Sequence, residues 1–462
     1  MRGVKVRGQR FIGSCLRMKK DKNRQGVLFE EVTKMRKRLK KISFGLVAVG
    51  LSLTLLLTAA IPVSQAGSDE KVVKVGLAIA LSGALANTGQ GALALKDYID
   101  YANERHIIPG VRLDLRWIDV GRAPIVDAMT AHKRFVEWGE MIELGYLLDT
   151  NEILAPKLPK EEIPFVSVVP YTQHLLNKPV PWTFGGFSSA QDYFSVGVKW
   201  FVGNWSEERP AKIGFIGYDQ APVHRGVEGM KALIQDYGPN VAEFVGLEVV
   251  PFLGVLDTSV EWLRLANRGA DLIMCLACGA SEHVLIKDCA RLGILEGGTT
   301  VIDCGECIED AVMVTGGSAN GWYVVKGFHS ALERNVLENV PEMNEVLSTA
   351  MKCRDWGGEG LRGLKTHGLY VLGWICASVA IEGIRVAAEK VGPENLSGRA
   401  IREGLASIEN FDIGLTSPIT MSDDKPYYFD EACVYRIEGE EMILVESGIP
   451  IRRKWLSTWI KG

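Results

Sequence analysis

From residue 72 onward the chain alternates between short apolar runs and longer stretches of helical periodicity. Residues 72–80, VVKVGLAIA, form an almost continuous apolar run, as a strand buried on both faces requires. The segment LSGALANTGQG that follows reads as a loop. ALALKDYIDYANER then predicts an amphipathic helix with Leu93, Leu95, Ile99 and Ala102 as its apolar positions. VRLDLRWIDV alternates as a strand, PIVDAMTAHKRFVEW is a helix, MIELGYLL a strand, ILAPKLPKEE a helix and PFVSVVP a strand. The pattern then restarts. SAQDYFSVGVKWFVGNW predicts a helix and AKIGFIGYD a strand, followed by helix GVEGMKALIQDYG, strand EFVGLEVVPF, helix SVEWLRLANRG, strand ADLIMCLACG, helix SEHVLIKDCARLG and strand TTVIDCG, with GWYVVKGF closing the set. Two successive strand–helix sets predict an α/β protein of two doubly wound, parallel-sheet lobes. Two more long helical stretches follow, THGLYVLGWICASVAIEGIRVAAEKVG and SGRAIREGLASIEN. EACVYRIEGEEMILVESGI then predicts a β-hairpin turning at Glu438-Gly439.

The N-terminal region has a different pattern. Residues 35–66 read MRKRLKKISFGLVAVGLSLTLLLTAAIPVSQA. Arg36, Lys37, Arg38, Lys40 and Lys41 precede an apolar stretch from Ile42 to Ala60. Pro62 ends it, and Ser64-x-Ala66 places small residues where a signal peptidase cuts. This predicts a cleaved leader over residues 35–66 and export to the periplasm, with Met35 as the start and residues 1–34 as an upstream extension. A membrane anchor with a cytoplasmic tail is the alternative, since the run has the length of a span. No second long apolar segment is read after it, so the exported chain is expected to be soluble; a monomer is expected as well.

Charge narrows the function. Residues 1–66 hold fifteen Lys and Arg against three Asp and Glu. Of the chain's 52 basic and 56 acidic residues, 37 and 53 therefore remain after cleavage, a net charge of −16. Such a surface repels phosphate backbones and excludes nucleic acid as a partner. Enzyme signatures are poor. Gly89-x-Gly91-x-x-Ala94 imitates a dinucleotide fingerprint but starts nine residues after the strand ends at Ala80, and G-x-S-x-G, H-E-x-x-H and the P-loop do not occur. The reading assigns no catalytic residue and no cofactor.

Several motifs occur in a telling order. Leu81-Ser82-Gly83 ends the first strand, and Asn103-Glu104 ends the helix after it. Asp119 ends the next strand. Ile163-Pro164-Phe165-Val166-Ser167, Tyr218-Asp219 and Gly316-Gly317-Ser318-Ala319-Asn320-Gly321 follow in turn. This order resembles the type I periplasmic solute-binding proteins of ABC importers, in their leucine/isoleucine/valine-binding group, over nearly all of residues 71–462. The resemblance implies two α/β lobes joined by three crossovers, one formed by 71–187 plus 328–419 and the other by 188–327 plus 420–462. It also implies a small polar solute, an amino acid or a related molecule, trapped between the lobes and delivered to the membrane subunits of an ABC permease. A ligand-sensing subunit docked on a membrane sensor is the second reading.

Candidate site residues follow from strand ends and from this resemblance. Ser82, Asn87, Thr88 and Gln90 follow the first strand and either offer hydrogen bonds to the solute or belong to a solvated loop. The resemblance implies that Thr150 holds a solute carboxylate. Asp149 beside it departs from the pattern, and either caps the next helix or meets a donor or positive charge on the solute. Tyr171 and Thr172 match the next cleft loop, and Tyr218 and His224 follow a strand of the second lobe. The resemblance places an acid at Asp303 or Glu306 to pair with a solute ammonium. Trp182, Phe184 and Phe187 either cover the solute or pack the first crossover. Cys275-x-x-Cys278 and Cys304-x-x-Cys307 have a spacing associated with zinc. Within a strand, however, residues 275 and 278 point to opposite faces, so only Cys278 reaches the loop side. A disulfide or packed free thiols, a cleft-lining thiol at Cys278, and a metal or redox site all stay open.

Overall fold

The computed structural model describes residues 70–451, apart from 122–123, 147, 169–180, 187–189 and 253. The leader, Tyr171, Thr172 and Phe187 lie outside the described residues. Five strands, β1 (Lys71–Ile79), β2 (Val111–Asp119), β3 (Ile142–Gly145), β4 (Phe165–Ser167) and β5 (Thr183–Gly185), form a parallel sheet in the order β2-β1-β3-β4-β5. Its helices are α1 (Ala86–Ala92) and α2 (Ala94–Glu104) after β1, α3 (Pro124–Trp138) after β2, and α4 (Leu148–Leu154) and α5 (Leu158–Glu161) after β3.

The chain then builds a second sheet on the same plan. α6 (Ala190–Gly203) leads into β6 (Ala211–Tyr218), α7 (Ala221–Tyr237), β7 (Ala242–Val250), α8 (Ser259–Asn267), β8 (Leu272–Leu276), α9 (Gly279–Arg291), β9 (Thr300–Asp303), α10 (Ile308–Thr315) and β10 (Tyr323–Lys326). Helices α11 (Val336–Asn339), α12 (Met343–Cys353), α13 (Leu361–Thr366), α14 (Leu369–Val391) and α15 (Gly398–Leu405) come next. α14 packs against α1 and α2, on the first sheet's side. The hairpin β11 (Glu431–Glu438) and β12 (Glu441–Pro450) joins the second sheet antiparallel to β10, giving the order β12-β11-β10-β9-β8-β6-β7. The two parallel sets share one order. In each, the strand order reverses beside the first strand, and the crevice for a ligand opens at the strand C-terminal ends.

Four details differ from expectation. LSGALANTGQG is not a loop: it forms a 3-10 turn at Gly83–Leu85 and then α1. Its glycines permit this. A Cβ on Gly89 would lie 1.8 Å from the Ala80 carbonyl oxygen, and one on Gly91 would lie 2.9 Å from the Leu369 Cβ. Without side chains at these positions, the helix presses flat on the end of β1 and on α14. The hairpin turns at Gly439-Glu440, because Glu438 still pairs with Glu441 and Gly439 takes φ 66°. Residues 426–429 run beside β5, with the Tyr428 amide donating to the Gly185 carbonyl at 3.0 Å, before the chain enters the hairpin. Finally, a second long apolar segment does exist. α14, 23 residues long, is long and apolar enough to cross a membrane, yet 83% of its most apolar window is buried inside the fold. It is apolar on all sides because helices and strands surround it.

Candidate functional site

The C-terminal ends of β8 and β9 carry a buried acidic wall. Asp303 is the last residue of β9. Its Oδ1 accepts from the Gly305 amide at 2.6 Å, and its Oδ2 is buried without a partner. Burial pushes Asp303 up to about 7, against the pull of the Gly305 amide and Lys326. Glu306 follows in the turn to α10 and accepts from the Tyr193 hydroxyl at 2.9 Å. Glu309 and Asp310 open α10, and Glu282 lies in the first turn of α9 with both carboxylate oxygens buried and unpartnered. Burial, reinforced by Asp303 and Asp310, pushes Glu282 well above the ordinary carboxylate range. Lys326, at the end of β10, lies within this wall. It is fully buried and donates to Glu309 Oε2 at 3.1 Å and to the Gly305 carbonyl at 3.2 Å, while Ser330 donates to Glu309 Oε1 at 2.8 Å. Glu309 is thereby paired, while Glu282, Asp303 and Asp310 keep buried oxygens without a hydrogen-bond partner among the described residues.

The first lobe meets this wall through α1. Asn87 Nδ2 donates to Asp310 Oδ2 at 2.9 Å, and His283 Nε2 lies 3.5 Å from the same oxygen. Thr88 donates to the Leu85 carbonyl at 2.8 Å. A crevice between the lobes is lined by Asn87, Thr88, Gly91, Cys307, Asp310 and His367. Further along the lobe boundary, Arg225 of α7 donates to Glu152 of α4 at 2.7 Å. Thr150, one residue into the same helix from Asp149, is buried with its hydroxyl oxygen unpartnered.

Of the residues expected at the site, the structure brings Asn87 and Thr88 to one side and Cys278, Asp303 and Glu306 to the other. Ser82 turns instead to Asp119. Burial raises that carboxyl, but hydrogen bonds from Gly121, from the Ser82 side chain and from the Leu81 amide together hold it below its usual range. Gln90 is half-buried in α1. Tyr218 is buried and packs edge-on against Phe252, ring centroids 5.4 Å apart, so it belongs to the core of the second lobe. His224 is half exposed and pairs with Asp219 at 2.6 Å. Asp149 stands inside α4 rather than before it, and its side chain lies outside the described residues. Trp182 packs with Leu154, Leu158 and Phe165, and Phe184 is buried in the main core, as hinge packing requires.

All eight cysteines from Cys275 to Cys433 are free thiols. Burial pushes the Cys278 and Cys307 thiols up, with Glu282 the next cause at Cys278 and Cys278 itself at Cys307, so neither is poised as a thiolate. Sequence reasoning missed Glu282, Glu309, Asp310 and Lys326. A signal existed for the first three, since acids in the first turn of a helix that follows a strand end point toward the crevice. Lys326 carried no such signal.

This architecture has known relatives. The family model of periplasmic binding proteins matches residues 72–427, and the chain belongs to that family. No curated protein sequence matches the chain. Among solved structures, a branched-chain amino acid ABC transporter protein from Thermus thermophilus with bound valine is similar at 18% identity and TM-score 0.70, covering 85% of this chain and 100% of that one. A solute-binding protein from R. palustris in complex with 4-hydroxybenzoate is similar at 16% identity and TM-score 0.66, covering 84% and 100%. A fatty acid ABC transporter substrate-binding protein from Thermomonospora curvata is similar at 15% identity and TM-score 0.67, covering 84% and 94%. At these identities the likeness establishes a shared fold, and the solutes named for the three differ widely.

Proposed function

We propose that the protein is the periplasmic receptor of an ABC importer and captures a small solute bearing a protonated amine, an amino acid or a related molecule, between its lobes. The observation that carries this reading, among the described residues, is the set of buried carboxylate oxygens without a hydrogen-bond partner on Glu282, Asp303 and Asp310, beside a Lys326 already paired with Glu309. A carboxylate solute without an amine would be repelled there, whereas an ammonium group supplies the missing counter-charge and donors. Asn87 and Thr88 offer polar groups from the opposite lobe, and Tyr193 orients Glu306. Closing one lobe on the other would remove water from the solute and present one shape to the permease. No bond need be made or broken.

The leader reading belongs to the same proposal: export with cleavage after Ala66 places the receptor where the solute is met. A thermal-shift screen of the exported chain tests the function. The protein is first unfolded and refolded to strip retained solute, then screened against basic and neutral amino acids, polyamines, amides and aromatic acids. Amine-bearing solutes should raise the melting temperature by several degrees, since a ligand that binds only the folded state stabilises it. A rise confined to acids that lack an amine, such as 4-hydroxybenzoate, would overturn the amine assignment.

A further inference from the structure

A second buried polar cluster lies away from the solute crevice, toward the N-terminal end of β3. His132 comes from the middle of α3, Glu140 from the turn between α3 and β3, Glu143 from the second position of β3, and Glu161 from the end of α5. The side chains of Glu140 and Glu143 have no solvent exposure and that of His132 almost none, while Glu161 is about one-third exposed. His132 Nδ1 lies 2.5 Å from Glu143 Oε2, and Nε2 lies 2.8 Å from Glu161 Oε2. Glu140 Oε1 stands 3.8 Å from the same Nδ1.

The imidazole accounts for one oxygen of Glu143 and one of Glu161. It does not account for Glu140, whose two oxygens are both buried and unpartnered, nor for the second oxygen of Glu143. Lys74, the nearby cation, is directed elsewhere: its Nζ donates to the Trp138 carbonyl at 2.7 Å and sits over the Trp138 ring. The backbone is shaped around the unpartnered carboxylate. A Cβ on Gly76 would lie 2.1 Å from Glu140 Oε2 and 2.8 Å from the Phe135 ring, so only glycine at this position of β1 leaves room for it. Gly76 is also the register partner of Glu143. A carboxylate enclosed this closely with no donor is costly, and native folds rarely keep one without a partner.

We propose that His132 Nδ1, Glu140 and Glu143 hold a divalent zinc ion, with Glu161 orienting the ring from outside through Nε2. One ligand atom from each of the three residues already falls within 4.8 Å of the others. Zinc takes imidazole nitrogen and carboxylate oxygen at about 2.0–2.2 Å and is content with four donors, which three residues supply if one glutamate binds through both oxygens. Calcium and magnesium take six or more oxygens or retained waters, a set that one imidazole and two carboxylates do not supply. The Glu161–His132 contact is the outer carboxylate–histidine pair that fixes the tautomer of a metal-bound imidazole. On binding, the ion replaces the proton on Nδ1 and any proton carried by Glu140, both released to solvent, and the bond between His132 and Glu143 becomes two bonds to metal. The ion would tie α3, β3 and α5 together on the far side of the first sheet and leave the solute crevice untouched.

The test uses the full exported chain, purified without chelators or immobilised-metal resin. Elemental analysis should find close to one zinc per chain. Stripping with dipicolinate should lower the melting temperature by several degrees, and adding Zn2+ should restore it. Glu140→Gln and His132→Asn should each abolish the response to Zn2+, while Glu140→Gln, which needs no counter-charge, should melt no lower than the stripped parent. The pair Cys278→Ser with Cys307→Ser should keep the full response. Absence of both retained zinc and a Zn2+-dependent rise would overturn the proposal. So would a rise that survives Glu140→Gln and disappears in the cysteine variant.

Discussion

At Lys326 a single ammonium group makes the acidic wall tenable. Both it and Glu309 are fully buried, 3.1 Å apart, and Ser330 and the Gly305 carbonyl complete their hydrogen bonds. Removing one partner of such a pair leaves a buried charge uncompensated. Lys326→Met should therefore destabilise the protein by about 3–5 kcal/mol in urea titrations, and Lys326→Met with Glu309→Leu should recover most of that loss. A single-variant cost below about 1 kcal/mol would mean that Glu309 carries no charge needing Lys326. The same residue shows where reading the sequence stops. Asp303 and Glu306 were legible through the family resemblance, whose corresponding loop supplies an acid to a solute ammonium. Lys326 ends a short apolar run, but a lysine there reads equally well as one extending to solvent. Only the placement of β10 between β9 and the hairpin encloses it.

Among the elements, α1 shows how close approach overrides local pattern. Three glycines in eleven residues suggest a loop, and the helix forms because those glycines let it lie against backbone. Gly89→Ala would drive a methyl group into the Ala80 carbonyl oxygen and lift α1, together with Asn87 and Thr88, away from the wall. A cost of about 3 kcal/mol is expected by chemical denaturation, together with loss of solute affinity. Gly203→Ala is the control: nothing lies within 4 Å of its Cβ at the end of α6, and its stability should stay within about 0.5 kcal/mol of the parent. Equal effects at the two positions would mean that helix propensity, not contact, decides. The strand–helix alternation was legible throughout because apolar runs of strand length are distinctive in a parallel sheet. What each helix packs against was not, since α14 meets α1 and α2 across more than 250 residues of chain.

Across the whole molecule, the proposed capture of a cationic solute would couple lobe closure to protonation. The lobes meet through Asn87–Asp310, Glu152–Arg225 and the main-chain pairing of Tyr428 and Phe429 with Gly185 and Gly186, and the acidic wall faces this boundary. Burial raises Asp303 to about 7. Between the value of an unfolded aspartate, about 3.9, and that raised value, the folded state holds a proton that the unfolded state has lost. The solute-free protein should therefore lose stability as pH rises through this window, with the loss complete above about 7. A cationic solute favours the ionised carboxylate and reverses the trend. Its affinity should climb with pH by up to about tenfold per unit below 7, where one proton is released on binding, and level off above. Glu282, Glu309, Lys326 and Cys275 surround Asp303 and set the midpoint, so Asp303→Asn should flatten the profile without removing the proposed amine preference. Calorimetric titration with an amine that keeps its own proton from about pH 5.5 to about pH 8.5, in buffers of different ionisation enthalpy, reads both affinity and protons released. Affinity that stays level across that range, with no proton released, would show that the proposed cationic solute does not meet the ionised Asp303, and the acidic wall would then serve the fold rather than recognition.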